Sequence, residues 1–221
     1  ICRMVFTRIL SADYLGVNGL FTNILTMLNL AELGIGSAIV YALYKPLAEN
    51  DEEKVASLVK FYGSCYKVIG IVVATIGIIL MPFLNVLING HPAIKENLYV
   101  IYALYLFNTA STYFFSYRSS LITAAQQNYV VVGVSYLITI IQSIIQMVWL
   151  IVTHEYIGYL IIASIGTMIY NILISYIAKR KFPYIVKNNI KPLEQNEKNG
   201  LIRNVRALVV WKLSGILVNS T

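Results

Sequence analysis

The chain has 221 residues, of which 58% are hydrophobic and only 12% charged, and its net charge is +7. A soluble domain carries about 25% charged residues, so this composition excludes an ordinary soluble fold and points to lipid. Two isolated cysteines, Cys2 and Cys65, and two isolated histidines, His91 and His154, leave no spacing for a disulfide framework or a metal centre.

The apolar residues come in long runs, and a run of about 18 or more reads as a membrane-spanning helix. Ile1–Leu10 reads as the tail of an earlier span. The first full span is expected at Val17–Tyr44 and carries a polar face of Asn18, Thr22, Thr26, Asn29, Glu32 and Gly36 at steps of three or four. Glu32 is the only charge between Leu15 and Tyr44. A carboxylate in hydrocarbon costs at least ~2.5 kcal/mol on insertion scales and needs a polar partner, a hydrated cavity or a function. Three roles stay open for it: an ion-coupling carboxylate, a cavity wall, or a packing contact near a bend at Gly34–Gly36.

The Lys45–Tyr62 loop contains a helix start. Asn50 with Glu53 has capping-box spacing, and Val55, Leu58, Val59 and Tyr62 share one face. An amphipathic surface helix is therefore expected at Asn50–Tyr62, feeding a second span at Val68–Ile88. Gly63, Gly70, Ala74 and Gly77 give that span a small-residue face suited to close helix packing.

A third span at Leu98–Tyr117 aligns Tyr102, Tyr105, Thr109, Thr112 and Ser116. The fourth, Tyr129–Thr153, aligns Ser135, Thr139, Gln142 and Gln146; the fifth, Tyr156–Ala178, aligns Ser164, Thr167, Asn171 and Ser175. These polar faces are read either as interhelical hydrogen-bonding contacts or as the walls of a shared hydrated cavity. Tyr41, Tyr44, Tyr62, Tyr99, Tyr117, Tyr129 and Tyr156 lie at span ends, where an aromatic belt accounts for them. Phe182–Gly200, with Pro183, Pro192 and Asn188–Asn189, has the composition of a flexible linker. A sixth span begins near Val205 and stops at Thr221.

The expected fold is all-α, a polytopic membrane helix bundle of about five full transmembrane helices with partial helices at both ends. Residues 1–181 form an N-terminal helical lobe, 182–204 a cytoplasmic linker, and 205–221 the start of the next helix. Both ends read as interruptions of a longer chain. Lys and Arg concentrate in cytoplasmic loops, and alternate loops here carry fourteen of them on one side against three on the other. That places Lys45 and Lys179–Lys181 in the cytoplasm and the Asn89–Lys95 loop outside. No nucleotide-binding, zinc-protease or nucleophile-elbow motif is present, so no catalytic residue, cofactor or metal is expected, and nucleic acid is not an expected partner.

Three strings carry a resemblance: Ala12–Leu25 (Ala-Asp-Tyr-Leu-Gly-Val-Asn-Gly-Leu-Phe-Thr-Asn-Ile-Leu), Ala31–Ile39 (Ala-Glu-Leu-Gly-Ile-Gly-Ser-Ala-Ile), and Tyr44–Glu49 with Asp51 and Lys54. Together they resemble the start of bacterial polysaccharide flippases, the O-antigen or capsule repeat-unit exporters of the Wzx type, in the superfamily that includes multidrug extruders. Tyr117–Tyr129 resembles that family's cytoplasmic loop after its fourth span, except that Gln126 stands where an acidic residue is expected, and Lys212–Thr221 resembles the entry to its seventh.

The resemblance implies a two-lobed, alternating-access transporter in the bacterial cytoplasmic membrane. It would move an undecaprenyl-diphosphate-linked oligosaccharide between leaflets, with polysaccharide assembly proteins as further partners. Under it, Asn18, Thr22, Asn29, Glu32, Tyr102, Tyr105, Gln142, Gln146 and Asn171 are cavity candidates for sugar hydroxyls, and Lys45 and Arg118 are entrance candidates for the diphosphate. Two alternatives stand beside it. One is a cation-coupled extruder using Glu32. The other is a membrane-embedded glycan polymerase or transferase, for which His154–Glu155 is the available acid–base pair.

Overall fold

The computed structural model describes residues 2–28, 35–84, 94–187, 190–204 and 207. The described residues are helical, with no strand among them. In chain order they form α1 (Cys2–Ile9), α2 (Ala12–Leu28), α3 (Ile35–Ala48), α4 (Glu52–Leu80), α5 (Leu98–Tyr113), α6 (Ser116–Ala124), α7 (Asn128–Thr153) and α8 (Tyr156–Lys181). A further helical stretch occupies 195–204.

Among the described residues, three stretches are long and apolar enough to cross a membrane: Glu52–Phe83, Asn128–Thr153 and Tyr156–Lys181. At 1.5 Å per residue, the 26-residue α7 and α8 each run about 39 Å. The fourth and fifth expected spans thus stand within a few residues of their predicted ends. The third does not match as a single span. Val17–Tyr44 is covered by the 17-residue α2 and the 14-residue α3, with 29–34 outside the described residues. The Leu98–Tyr117 span closes as α5 after 16 residues, about 24 Å. Phe114 and Phe115 tighten its last turn by donating to the Ser111 and Thr112 carbonyls, and the loop expected after it contains α6.

The start of α4 departs from expectation by one residue. Asn50, at φ 55°, takes the left-handed position that ends a helix, and asparagine tolerates it. Its role is therefore to terminate α3. Asp51 is the actual cap, its carboxylate accepting from the Lys54 N–H at 2.9 Å. The expected apolar face holds: Val55, Leu58, Val59 and Tyr62 are all buried. The helix then continues without a break to Leu80.

The two larger of three apolar clusters among the described residues follow one another along the bundle. One gathers Phe6, Tyr14, Phe21, Leu84, Ile101, Tyr102 and Tyr156. The other gathers Ile39, Leu43, Leu58, Tyr62, Tyr66, Tyr113 and Leu121. Tyr62 and Tyr156 therefore belong to the packed interior, whereas Tyr41, Tyr44 and Tyr129 are exposed. Burial of the first two follows from neighbours contributed by other helices, which their own helices do not reveal.

The small-residue face of α4 is a helix contact. A Cβ at Gly63 would meet the Tyr117 ring at 3.2 Å, and one at Gly70 would meet Tyr113 Cβ at 3.1 Å. Leu106 lies against Gly77. On the opposite side of the bundle, α7 buries only 6% of its most apolar 18 residues. Ile140, Ile144, Val148 and Val152 face outward there, which suits hydrocarbon and not water.

The antiparallel α7–α8 hairpin defines the two ends of the bundle. His154, at φ 58°, makes its turn. Tyr14 bonds Glu96 and packs on Tyr156, which brings α2 and the start of α5 to that same end. Lys181 bonds Gln127 at the other end, where Lys187, Lys191 and Glu197 reach the start of α4. Lys45, Lys54 and the Lys179–Lys181 cluster thus share one end, and Lys95 lies at the other, as the charge count expects. The 182–204 segment was expected as a flexible linker. Its described residues are instead tied to α4, with Leu193 buried.

Candidate functional site

A polar cleft of about 200 Å³ opens between α2, α5, α7 and α8. Of the cavity candidates it brings together Asn18, Tyr105, Gln142 and Gln146, and it adds Asn108, Tyr159 and Ser164. They sit at helical spacing on four largely apolar helices, so helical periodicity turns these side chains inward together.

Tyr105 is the junction of the site. Its hydroxyl donates to Asn18 Oδ1 at 2.6 Å and lies 3.1 Å from the Tyr156 hydroxyl. Gln146 is buried and donates to the Tyr159 carbonyl at 2.9 Å. Gln142 reaches Gln146 Oε1 at 3.4 Å, a long bond that leaves most of its amide's capacity free. Gly166 lies directly beneath the Gln142 amide, so a larger residue there would displace it. Asn108 Oδ1 is buried with no hydrogen-bond partner among the described residues. A buried acceptor left unpaired costs about 1–3 kcal/mol, so this atom is a place where an incoming donor is favoured.

The stripes divide by chemistry. Serine and threonine hydroxyls mostly bond back to their own helix: Thr26 to the Thr22 carbonyl, Thr112 to Thr109, Ser116 to Thr112, Ser164 to Leu160 and Thr167 to Ala163. Such groups are satisfied locally. Amides and phenols make the bonds between helices, and they are what line the cleft.

The other candidates lie elsewhere. Thr22 is exposed and donates to Asn18 Oδ1 at 3.3 Å, supporting the cleft from outside. Tyr102 is fully buried and donates to the Gly77 carbonyl at 3.1 Å, a contact between α5 and α4 and not a cavity wall. Asn171 is buried with its Nδ2 unpartnered, away from the cleft. Asn29 and Glu32 lie outside the described residues.

The entrance candidates do not converge on one point. Lys45 is exposed, 3.8 Å from Glu49. Arg118 stacks its guanidinium 5.1 Å from the centre of the Tyr117 ring, a cation–π contact that leaves its hydrogen-bond donors free for an anion. His154 and Glu155 are both exposed in the α7–α8 turn, where the Thr153 hydroxyl accepts from the Glu155 N–H. Their arrangement is accounted for by the turn itself. Among the described residues no group of three or more His, Cys, Asp or Glu is placed to hold a metal ion.

Comparison with protein-family models, with curated proteins and with solved structures finds no match to this chain. The functional reading rests on the cleft and on the resemblance in sequence.

Asn108 and Tyr159 were absent from the candidates read from sequence. Asn108 stands three residues after Tyr105, as good a same-face spacing as the four-residue step to Thr109 that defined the stripe. Tyr159 offers its ring to the cleft and its backbone carbonyl to Gln146, and a carbonyl contact has no signature in side-chain patterning.

Proposed function

We propose that the chain is part of a multi-pass transporter that moves a lipid-linked oligosaccharide across a bacterial cytoplasmic membrane by alternating access. The observation that carries this reading is the cleft between α2, α5, α7 and α8, which presents amide and phenol groups inside a strongly apolar bundle. Amides that both donate and accept suit sugar hydroxyls, and tyrosine rings offer faces on which a sugar packs. A cleft of about 200 Å³ receives part of such a ligand, not a whole repeat unit. The diphosphate calls for cations, and Lys45, Arg118 and Lys179–Lys181 supply them at the end of the bundle that the positive-inside rule assigns to the cytoplasm.

Reconstitution of the intact protein into vesicles loaded with a fluorescent polyprenyl-diphosphate glycan tests the proposal. Leaflet transfer is expected, measured by quenching from outside, and it should fall at least severalfold in Gln146→Leu. Correctly folded protein that transfers no such lipid would overturn the reading.

A further inference from the structure

The chain after α8 packs back onto the start of α4 with charges that match in order. Lys187 faces Glu52 at 3.8 Å, Lys191 faces Glu53 at 2.8 Å, and Glu197 pairs with Lys54. Between these pairs, the Ser57 hydroxyl donates to the Lys191 carbonyl at 2.7 Å. Leu193 inserts into the apolar cluster that contains Val55 and Leu58. The Glu53 carboxylate beside Lys191 raises its ammonium above the ordinary lysine range, so Lys191 stays cationic throughout neutral pH.

The same segment forms one wall of a second cleft, about 900 Å³ and largely apolar, bounded elsewhere by α3 and α4. Leu193 and Leu201 line it together with Tyr41, Ala42, Leu58 and Tyr62. The Tyr62 hydroxyl is buried and has no partner among the described residues.

We propose that Lys187 and residues 190–204 act as a strap held against the α3–α4 cleft by these three ion pairs, and that ions competing for its charges release this wall of the cleft. The pairs are partly exposed, so each is individually weak and screened by salt. One hydrogen bond, buried Leu193 and partly buried Leu201 complete the hold. The α3–α4 contact beneath is built on buried Ile39, Leu43, Val55 and Leu58, which ionic strength does not weaken. The strap therefore lets go before the bundle does.

Spin labels at exposed Ser64 and Asn199 test this in the full chain in lipid nanodiscs, with Cys2 and Cys65 replaced by serine. One narrow distance distribution is expected at low salt. It should broaden to longer distances at about 1 M salt, where the screening length falls to about 3 Å. Glu53→Lys or Lys191→Glu alone should broaden it at low salt, and the two together should restore the narrow distribution. A second label pair at Tyr129 and Arg180 on the α7–α8 hairpin should stay unchanged throughout. A distribution insensitive to salt and to both single variants would overturn the strap, as would a double variant that fails to recover.

Discussion

Tyr105 holds the polar cleft together because its hydroxyl reaches Asn18 on α2 and Tyr156 on α8 at once. Side-chain hydrogen bonds between membrane helices contribute about 0.6–2 kcal/mol each. Tyr105→Phe is expected to lower stability by about that amount in a bicelle unfolding assay, while leaving helix content unchanged. Asn108 predicts the opposite pattern. Its Oδ1 is already unpaired, so Asn108→Leu removes a buried unsatisfied acceptor and should leave the thermal midpoint unchanged or raised. The same variant should reduce glycan-lipid transfer. Loss of stability together with transfer would mean that Asn108 acts in packing. At this scale the sequence showed which residue types were costly in hydrocarbon. It did not separate Tyr102, whose hydroxyl reaches the Gly77 carbonyl, from Tyr105 one turn away, because the partner decides and it lies on another helix.

Between elements, α4 and α5 show how small residues substitute for a hydrophobic driving force that lipid does not supply. Gly70 lies against Tyr113 Cβ and the Phe114 ring. A Cβ sits next to the backbone and cannot rotate away, so Gly70→Leu must push the helices apart. Overpacking of this kind costs about 1–3 kcal/mol, which thermal unfolding in detergent should register, with Gly16→Leu as a control because nothing lies within 4 Å of a Cβ there. The small-residue face was legible in sequence because its spacing is helical. The C-terminal boundary of α5 was not. Hydropathy averages over a window and passes through a break such as Phe114–Phe115, where every residue is still apolar.

For the whole molecule, the charge count and the helix arrangement agree on two unlike ends. Lys45, Arg118 and Lys179–Lys181 gather at one, and Lys95 with the His154–Glu155 turn stands at the other. Single cysteines at exposed Gln126 and His154 should therefore be labelled from opposite sides of the membrane by an impermeant maleimide in oriented vesicles, with Gln126 on the cytoplasmic side. Labelling of both from one side would refute the proposed orientation. The 182–204 segment shows the converse lesson. Its composition is that of a solvated linker, yet Glu52, Glu53 and Lys54 give it partners about 140 residues earlier in the chain, as in the 143-residue separation of Lys54 and Glu197.

The sequence by itself determined the helical, membrane-type character of the protein, the length of α7 and α8 and the unequal charge of the two ends. Each is a property of one segment and its solvent, written in periodicity and hydropathy. The tertiary structure decided which polar residues meet, which tyrosines are buried, where apolar runs break and what the polar segment after α8 binds. Those outcomes depend on atoms supplied by distant helices, such as Asn18 and Tyr156 converging on one hydroxyl of Tyr105, and no local pattern encodes them.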